Sequence, residues 1–64
     1  SSAVQLTKAI ERFPKYFQAY YNRGLCYESM DKIKEAESDY RMALNINPQY
    51  TPAAIALERV LKMR

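Results

Sequence analysis

The sequence predicts an all-α fold, an α-solenoid fragment of antiparallel helix pairs, and three observations carry this prediction. Prolines separate segments whose apolar residues follow helical spacing. No segment alternates apolar and polar residues as a strand would, and no Asn-Gly or Asp-Gly hairpin turn occurs. The chain also repeats itself after 34 residues, a period typical of stacked helical units. The four identical pairs are Ala9 and Ala43, Pro14 and Pro48, Tyr16 and Tyr50, and Ala19 and Ala53.

The first helix is predicted over residues 3–12, and Pro14 follows its end. Ser2 and Gln5 have the spacing of a capping box, in which each side chain satisfies a backbone N–H at the start of the helix. Ser1 and Ser2 could also be a cloning remnant, so a fortuitous capping box remains an alternative.

The second helix is predicted over residues 17–30. Tyr20, Gly24 and Tyr27 follow one another at spacings of four and three residues and so form one stripe. A glycine inside a helix costs about 1 kcal/mol relative to alanine. We therefore expect another helix to approach the backbone closely at Gly24.

The third helix is predicted over residues 33–46, and short links make it antiparallel to its neighbours. Glu37 and Arg41 stand four residues apart and should form an exposed ion pair. The apolar stripe of this helix consists of Ile33, Ala36, Tyr40, Ala43 and Leu44.

The fourth helix is predicted over residues 52–63. Thr51 is expected to cap its start, with Pro52 as the first helical residue. Glu58 and Lys62 have the spacing of a second exposed ion pair.

Composition limits the possible functions of these 64 residues, which we interpret as a single domain, 1–64, cut from a longer protein. The first residue is not Met, and no signal peptide or membrane span is visible. The net charge is +3, but no basic stripe exists, so neither nucleic acid nor a membrane is an expected partner. Cys26 is the one cysteine, which favours an intracellular, cytoplasmic setting.

The sequence offers almost no catalytic chemistry. It contains no histidine, no glycine-rich phosphate loop and no nucleophile with a base at motif spacing. We therefore predict no enzyme activity, no cofactor and no metal site. Glu35, Glu37 and Asp39 are interpreted as a solvated face and Cys26 as a buried, inert thiol. Three tyrosines are expected in the core rather than on a nucleic-acid surface: Tyr20, Tyr27 and Tyr40.

Residues 17–50 resemble one complete repeat of the tetratricopeptide repeat family. The family pattern is aromatic-x2-Leu-Gly-x2-Tyr, then Ala-x3-Phe, Ala and Pro. The corresponding residues here are Tyr20, Arg23, Gly24, Tyr27, Ala36, Tyr40, Ala43 and Pro48. The resemblance implies that residues 1–16 hold the second helix of a preceding repeat. Residues 51–64 would be a capping helix or the first helix of the next repeat.

Three departures from the family pattern lead to specific expectations. Arg23 replaces a leucine, which suggests a packed stem with its charged head at the rim. Asp31 replaces a turn glycine and should tolerate a left-handed backbone. Glu58 stands where Gly24 stands one repeat earlier, and a carboxylate there would obstruct a following helix. The last segment is therefore interpreted as a cap in preference to a further repeat.

The resemblance also implies a function, the binding of a peptide or partner helix on the concave face of the repeat array. The matching positions would be Gln18, Tyr21, Asn22, Leu25, Glu28, Ser29, Ile55, Arg59 and Lys62, with Met63 beside them. Ordinary solvent exposure, or contact with a neighbouring repeat, is the alternative interpretation of these positions.

Three further hypotheses remain open. Chaperone-binding members of the family grip a C-terminal carboxylate, and Asn22 with Arg23 resembles part of that clamp. Pro52 and Ala56 stand where its basic residues would be expected, so the clamp is incomplete. A structural role, extending or dimerising the array through exposed repeat ends, is the second. RNA binding, known for related helical arrays, is the least favoured because residues 17–50 carry four basic and five acidic side chains.

Overall fold

The computed structural model describes residues 16–63, and this part of the chain is helical without strands. Its three helices are α1 (Phe17–Ser29), α2 (Ile33–Ile46) and α3 (Thr51–Leu61). The predicted all-α fold is confirmed, and these helices agree with the predicted segments to within two residues at each end. The predicted helix over 3–12 lies outside the described residues.

The turn between α1 and α2 depends on a left-handed residue. Asp31 has φ 62°, which confirms the expectation that an aspartate serves here in place of glycine. The Lys32 N–H donates to the Tyr27 carbonyl at 2.8 Å, and the Asp31 N–H donates to the Glu28 carbonyl at 3.0 Å. These two bonds form a Schellman motif, which satisfies carbonyls that the end of α1 would leave free.

The start of α3 differs from the expected capping arrangement. Thr51 is the first helical residue, and Tyr50 precedes it without a side-chain capping hydrogen bond. The Thr51 hydroxyl points back to the Gln49 carbonyl at 3.5 Å, so the prediction of Thr51 as the N-cap is wrong. The helix begins one residue earlier than predicted. Pro52 still lies in the first turn, where its missing N–H costs nothing.

The core lies between α2 and its two neighbours, since α1 packs against α2 and α2 packs against α3. Ala36, Tyr40, Ala56 and Val60 form a buried cluster whose residues are at most 1% exposed. Only Tyr40 and Val60 in this group are large, so alanines allow the helices to approach closely. Partly buried residues complete the cluster: Tyr21, Leu25, Tyr27, Ile33 and Leu57.

Gly24 lies directly against the ring of Tyr40. A Cβ atom built on Gly24 would be 2.6 Å from Cε1 and 2.8 Å from Cδ1 of that ring. The ring is fully buried, so it cannot swing away as an exposed side chain would. The close approach expected at Gly24 is confirmed, and a side chain of the neighbouring helix provides it.

The partners of Arg23 correct two predictions. Its Nε and Nη2 atoms donate to the Asp39 carboxylate at 2.8 and 2.7 Å, so the guanidinium binds across the helix pair instead of reaching the rim. Asp39 is 4% exposed and therefore does not belong to a solvated acidic face. An aspartate at this depth is stable because a bidentate partner replaces its hydration.

The three tyrosines expected in the core differ in how deeply they are buried. Tyr40 is fully buried, as predicted. Tyr20 and Tyr27 are only half-buried, and the Arg23 guanidinium lies 5.7 Å from each ring centroid. The two rings thus stack against a cation in addition to apolar neighbours, an arrangement that stabilises the charged group.

Surface features of the described residues give mixed outcomes. Arg41 donates to Glu37 at 3.0 Å, which confirms the first predicted ion pair. Among residues 16–63, no ion pair joins Glu58 to Lys62, and both are exposed. Within the same range, no helix has the length and apolar character that crossing a membrane requires.

Candidate functional site

An ion pair connects a side chain of α1 to a side chain of α3. Nε and Nη2 of Arg59 donate to the two carboxylate oxygens of Glu28 at 2.9 and 2.7 Å. The two residues are 31 positions apart, close to one repeat period. This contact therefore brings equivalent faces of α1 and α3 together on one surface.

Glu28 also binds the core. Its Oε1 accepts a hydrogen bond from the Tyr40 hydroxyl at 2.9 Å, which gives the one polar atom of that buried ring a partner. Glu28 thus links side chains from all three helices. Its side chain is 17% exposed and that of Arg59 is 47% exposed, so the carboxylate is the sheltered partner.

The hydrogen bonds from Arg59 lower the pKa of Glu28 below its ordinary value of 4.5, against the opposing effect of burial. The Tyr40 hydroxyl adds a smaller lowering effect. Burial, together with donation to this carboxylate, raises the pKa of Tyr40 well above its ordinary value. Near neutral pH Glu28 is ionised and Tyr40 is protonated, and both pKa shifts favour these states, so the network persists there.

We call the face that carries this network the α1–α3 surface. Most of its predicted members are exposed. Ile55, at 58%, is the most exposed large apolar residue among residues 16–63. The exposed predicted positions are Gln18, Asn22, Ser29, Ile55, Arg59 and Lys62, and Met63 is exposed beside them. The half-buried predicted positions are Tyr21, Leu25 and Glu28.

Residues 17–50 match the tetratricopeptide repeat family, and this match covers just over half of the chain. The chain belongs to the tetratricopeptide repeat family. This finding confirms the family predicted from the sequence. Repeats of the family generally mediate binding to protein partners and are generally not enzymes.

One relative shows how small a part of a longer protein such a repeat can be. Protein PHOX1 of Arabidopsis thaliana is 36% identical to this chain over 55 residues. The match covers 86% of the chain and 7% of PHOX1, so the chain spans a small fraction of that relative's length. No solved structure matches the chain significantly.

Tyr21, which the sequence predicts for the concave face, is half-buried and packs against other rings. Its ring lies 5.8 Å from that of Tyr40 and 5.5 Å from that of Tyr50, the second contact being edge-to-face. Phe17 extends the row, because its ring is 4.8 Å from Tyr50. Tyr21 and Leu25 both pack on the buried cluster. They therefore form the partly buried floor of the α1–α3 surface, and the exposed contacts come from other residues.

The repeat does not complete the carboxylate clamp. Asn22 is exposed on α1, as a clamp residue would be. Ala56, at the position where a basic residue would follow, is 1% exposed and belongs to the core. A basic side chain cannot replace it without entering the cluster around Tyr40.

The acidic and cysteine side chains of the described residues lie apart from one another. Residues 16–63 contain no group of acidic or cysteine side chains arranged to hold a metal ion. Cys26 is free and only half-buried, which differs from the buried thiol that was predicted. The acidic run is also divided, because Glu35 is exposed while Asp39 is buried against Arg23.

The contact that sequence reasoning missed is the pairing of Glu28 with Arg59, although both residues were predicted for the site. Adding the 34-residue repeat period to Glu28 gives Lys62 as the candidate partner, and Lys62 lies one helical turn beyond the true partner on α3. Because residues three apart share a helix face, subtracting three residues from the period points to Arg59 instead. That offset is the signal in the sequence that would have revealed the pair.

Proposed function

We propose that this chain is a non-catalytic interaction module that binds a protein partner, as a peptide or a helix, on the α1–α3 surface. The observation that carries the proposal is the ion pair between Glu28 and Arg59. It holds one face of α1 beside one face of α3, so a partner could contact both helices at once.

The composition of this surface suits recognition of a protein. Leu25 and Tyr21 provide a partly buried apolar floor. Asn22 and Arg59 provide exposed hydrogen-bonding groups at its margins. An apolar centre with a polar rim is the usual anatomy of a protein interface.

Site-specific photocrosslinking in the intact protein tests the proposal. A benzophenone side chain is placed at position 22 or 55 on the α1–α3 surface. The control places it at position 38, since Ser38 is exposed on α2. We expect one protein partner to be attached from positions 22 and 55 and not from 38. Equal labelling from all three positions, or none from 22 and 55, would contradict the proposal.

Self-association is the second candidate function, and exposed apolar side chains favour it. Ile55 on α3 is 58% exposed, and Met63, which follows α3, is 52% exposed. Met30, which follows α1, is 48% exposed. Sedimentation over a wide concentration range tests this candidate. A mass that rises with concentration, and that I55K returns to the monomer value, would support it, whereas a constant monomer mass would exclude it.

A further inference from the structure

Three aromatic rings form a row where the start of α1 meets the link between α2 and α3, and we call it the aromatic row. The Tyr50 ring lies 4.8 Å from the ring of Phe17, at an interplanar angle of 67°. It lies 5.5 Å from the ring of Tyr21, at an angle of 86°. All three residues are half-buried, so each keeps some surface in contact with solvent. Because neighbouring rings meet edge to face, the row presents ring edges as well as ring faces to a ligand.

The two chain segments that form the aromatic row carry no charged side chain. Residues 16–22, which open α1, contain no Asp, Glu, Lys or Arg, and neither do residues 42–57, which run from the end of α2 into α3. The contacts of Tyr50 with Phe17 and Tyr21 bring these two segments together. A charged ligand group placed on the row would lose hydration without gaining an opposite charge from either segment, which is unfavourable. The row therefore favours an uncharged ligand.

Hydrogen-bonding groups accompany the rings. Gln18 lies three residues before Tyr21 and Asn22 lies four residues after Gln18, so these residues share one side of α1. Both amide side chains are exposed. Within residues 16–63, neither these amides nor the hydroxyls of Tyr21 and Tyr50 form a hydrogen bond. Amide N–H and hydroxyl groups are donors that suit a backbone carbonyl, so the row offers donors beside apolar ring surface.

The combination of rings and donors distinguishes between the forms that a bound segment can take. The carbonyls along the side of a helix are bonded within the helix, so a bound helix would leave these donors without acceptors. A polyproline II segment has no internal backbone hydrogen bonds, and its carbonyls remain available. Proline-rich segments in this conformation dock in grooves lined by aromatic side chains. Their conformation is largely preformed, which lowers the entropy cost of binding.

We propose that the aromatic row and its two amides bind an uncharged, proline-rich segment of a protein partner in the polyproline II conformation. Proline rings of this segment pack on Phe17, Tyr21 and Tyr50. Its backbone carbonyls accept hydrogen bonds from the two tyrosine hydroxyls and from the amides of Gln18 and Asn22. The inference rests on the proposed function, because Tyr21 and both amides belong to the α1–α3 surface, and it names the chemistry of the partner.

Fluorescence anisotropy with labelled peptides of equal length tests the inference on the full chain. The first peptide repeats Pro-Pro-Leu, and the second repeats Ala-Ala-Leu, whose residues favour a helix. Two charged peptides replace the leucines of the first with glutamate or with lysine. We expect the Pro-Pro-Leu peptide to bind about tenfold more tightly than the others, with an affinity that hardly changes with salt. Equal affinities, tighter binding of a charged peptide, or no binding of the Pro-Pro-Leu peptide would overturn the inference.

Conservative variants locate the binding site. Y21F and Y50F keep the rings and remove only the hydroxyls. Each should weaken binding of the Pro-Pro-Leu peptide by about fivefold, as for the loss of one neutral hydrogen bond. The matched control is Y20F, because Tyr20 is also half-buried but its ring lies beside Arg23, outside the aromatic row. Its affinity should be unchanged, and equal losses for all three variants would overturn the inference.

A further variant tests the contribution of the rings themselves. Y50L removes the ring that joins Phe17 to Tyr21 and should weaken binding of the Pro-Pro-Leu peptide by about tenfold, as for loss of an aromatic contact residue. Unchanged affinity would overturn the inference. Circular dichroism verifies folding, and Y21F and Y50F remain decisive if Y50L unfolds.

Other results separate this inference from the proposed function. A protein partner crosslinked from position 22 that the Pro-Pro-Leu peptide does not displace would overturn the inference, while the proposed function would stand. A single-stranded RNA that binds more tightly than the Pro-Pro-Leu peptide would overturn the inference too. Absence of any protein partner crosslinked from positions 22 and 55 would contradict the proposed function itself, and the inference with it.

Discussion

Arg23 of α1 and Asp39 of α2 are joined by two hydrogen bonds of 2.8 and 2.7 Å, and the Asp39 side chain is only 5% exposed. This bidentate contact crosses the interface between the two helices. It fixes their register because a planar guanidinium fits a carboxylate in few orientations. The repeat thus uses an ion pair where its family usually places a leucine.

Substituting Arg23 by leucine should destabilise the repeat even though it restores the family pattern. R23L leaves a buried carboxylate without its cation, which we expect to cost about 2–3 kcal/mol of unfolding free energy. The double variant R23L/D39L removes both charges and should return to within about 1 kcal/mol of the parent. Urea denaturation measures both. A double variant that stays as unstable as R23L would contradict the coupling. R41L removes an arginine that is 57% exposed in its ion pair with Glu37 and serves as the control.

Replacing Gly24 by alanine should lower stability in spite of the better helix propensity of alanine. The added methyl would lie 2.6 Å from the buried ring of Tyr40, so the ring or the helix must move. We expect a net loss of about 1–2 kcal/mol, since overpacking outweighs the propensity gain. In a Y40L background, where the ring is absent, G24A should be neutral or stabilising. An equal loss in both backgrounds, measured by thermal unfolding, would rule out this contact as the cause.

The left-handed conformation of Asp31 predicts opposite effects of two substitutions. D31G should keep or slightly raise stability, because glycine adopts positive φ without steric cost. D31V should lower it by about 1–2 kcal/mol, because a β-branched residue is strained at φ 62°. The control K32V lies one residue on, where φ is −95°, and should change stability by less than about 0.5 kcal/mol. Similar losses for D31V and K32V would argue against backbone strain.

Glu28 should contribute to an acid-dependent loss of stability. Arg59 lowers the pKa of Glu28 below 4.5 in the folded state, whereas the unfolded chain keeps the ordinary value. A lowered carboxyl pKa stabilises the fold above the ordinary value, and this contribution disappears as the pH falls through the folded pKa. E28Q should therefore lose stability at pH 7 and respond less to pH between about 5 and 3.

Unfolding by guanidinium chloride at a series of pH values measures this effect. The matched variant E58Q removes an exposed carboxylate from α3 that has no ion pair among residues 16–63, and it should retain the pH response of the parent. Should E28Q and the parent lose stability in parallel on acidification, the network between Glu28 and Arg59 would not be responsible.

Local signals in the sequence predicted the helices well because they depend on neighbouring residues. Proline marked the start of α3, and the spacing of small and aromatic residues predicted which stripe of α2 is buried, including Ala36 and Tyr40. Asp31 could be assigned to a left-handed turn for the same reason, since backbone preference is a property of the residue itself. The repeat period then connected these segments to a known family.

Side-chain partners could not be predicted in this way, because they depend on how two helices pack and on which side chains this packing brings together. Arg23 was assigned to the rim, and Asp39 to solvent, since neither shows its partner 16 residues away in the chain. Tyr21 was predicted for the concave face, and its ring contact with Tyr50 could not be foreseen. Each error involves a residue whose environment comes from a different helix or link.

By itself, the sequence determined the fold class, the family and the approximate ends of three helices, because periodicity and backbone preference are encoded locally. Only the tertiary structure decided that Glu28 binds Arg59 and Tyr40, and hence how the α1–α3 surface is held together. The physical reason is that an ion pair requires two charged groups within about 4 Å of each other. That proximity arises only after α1 and α3 have both packed against α2.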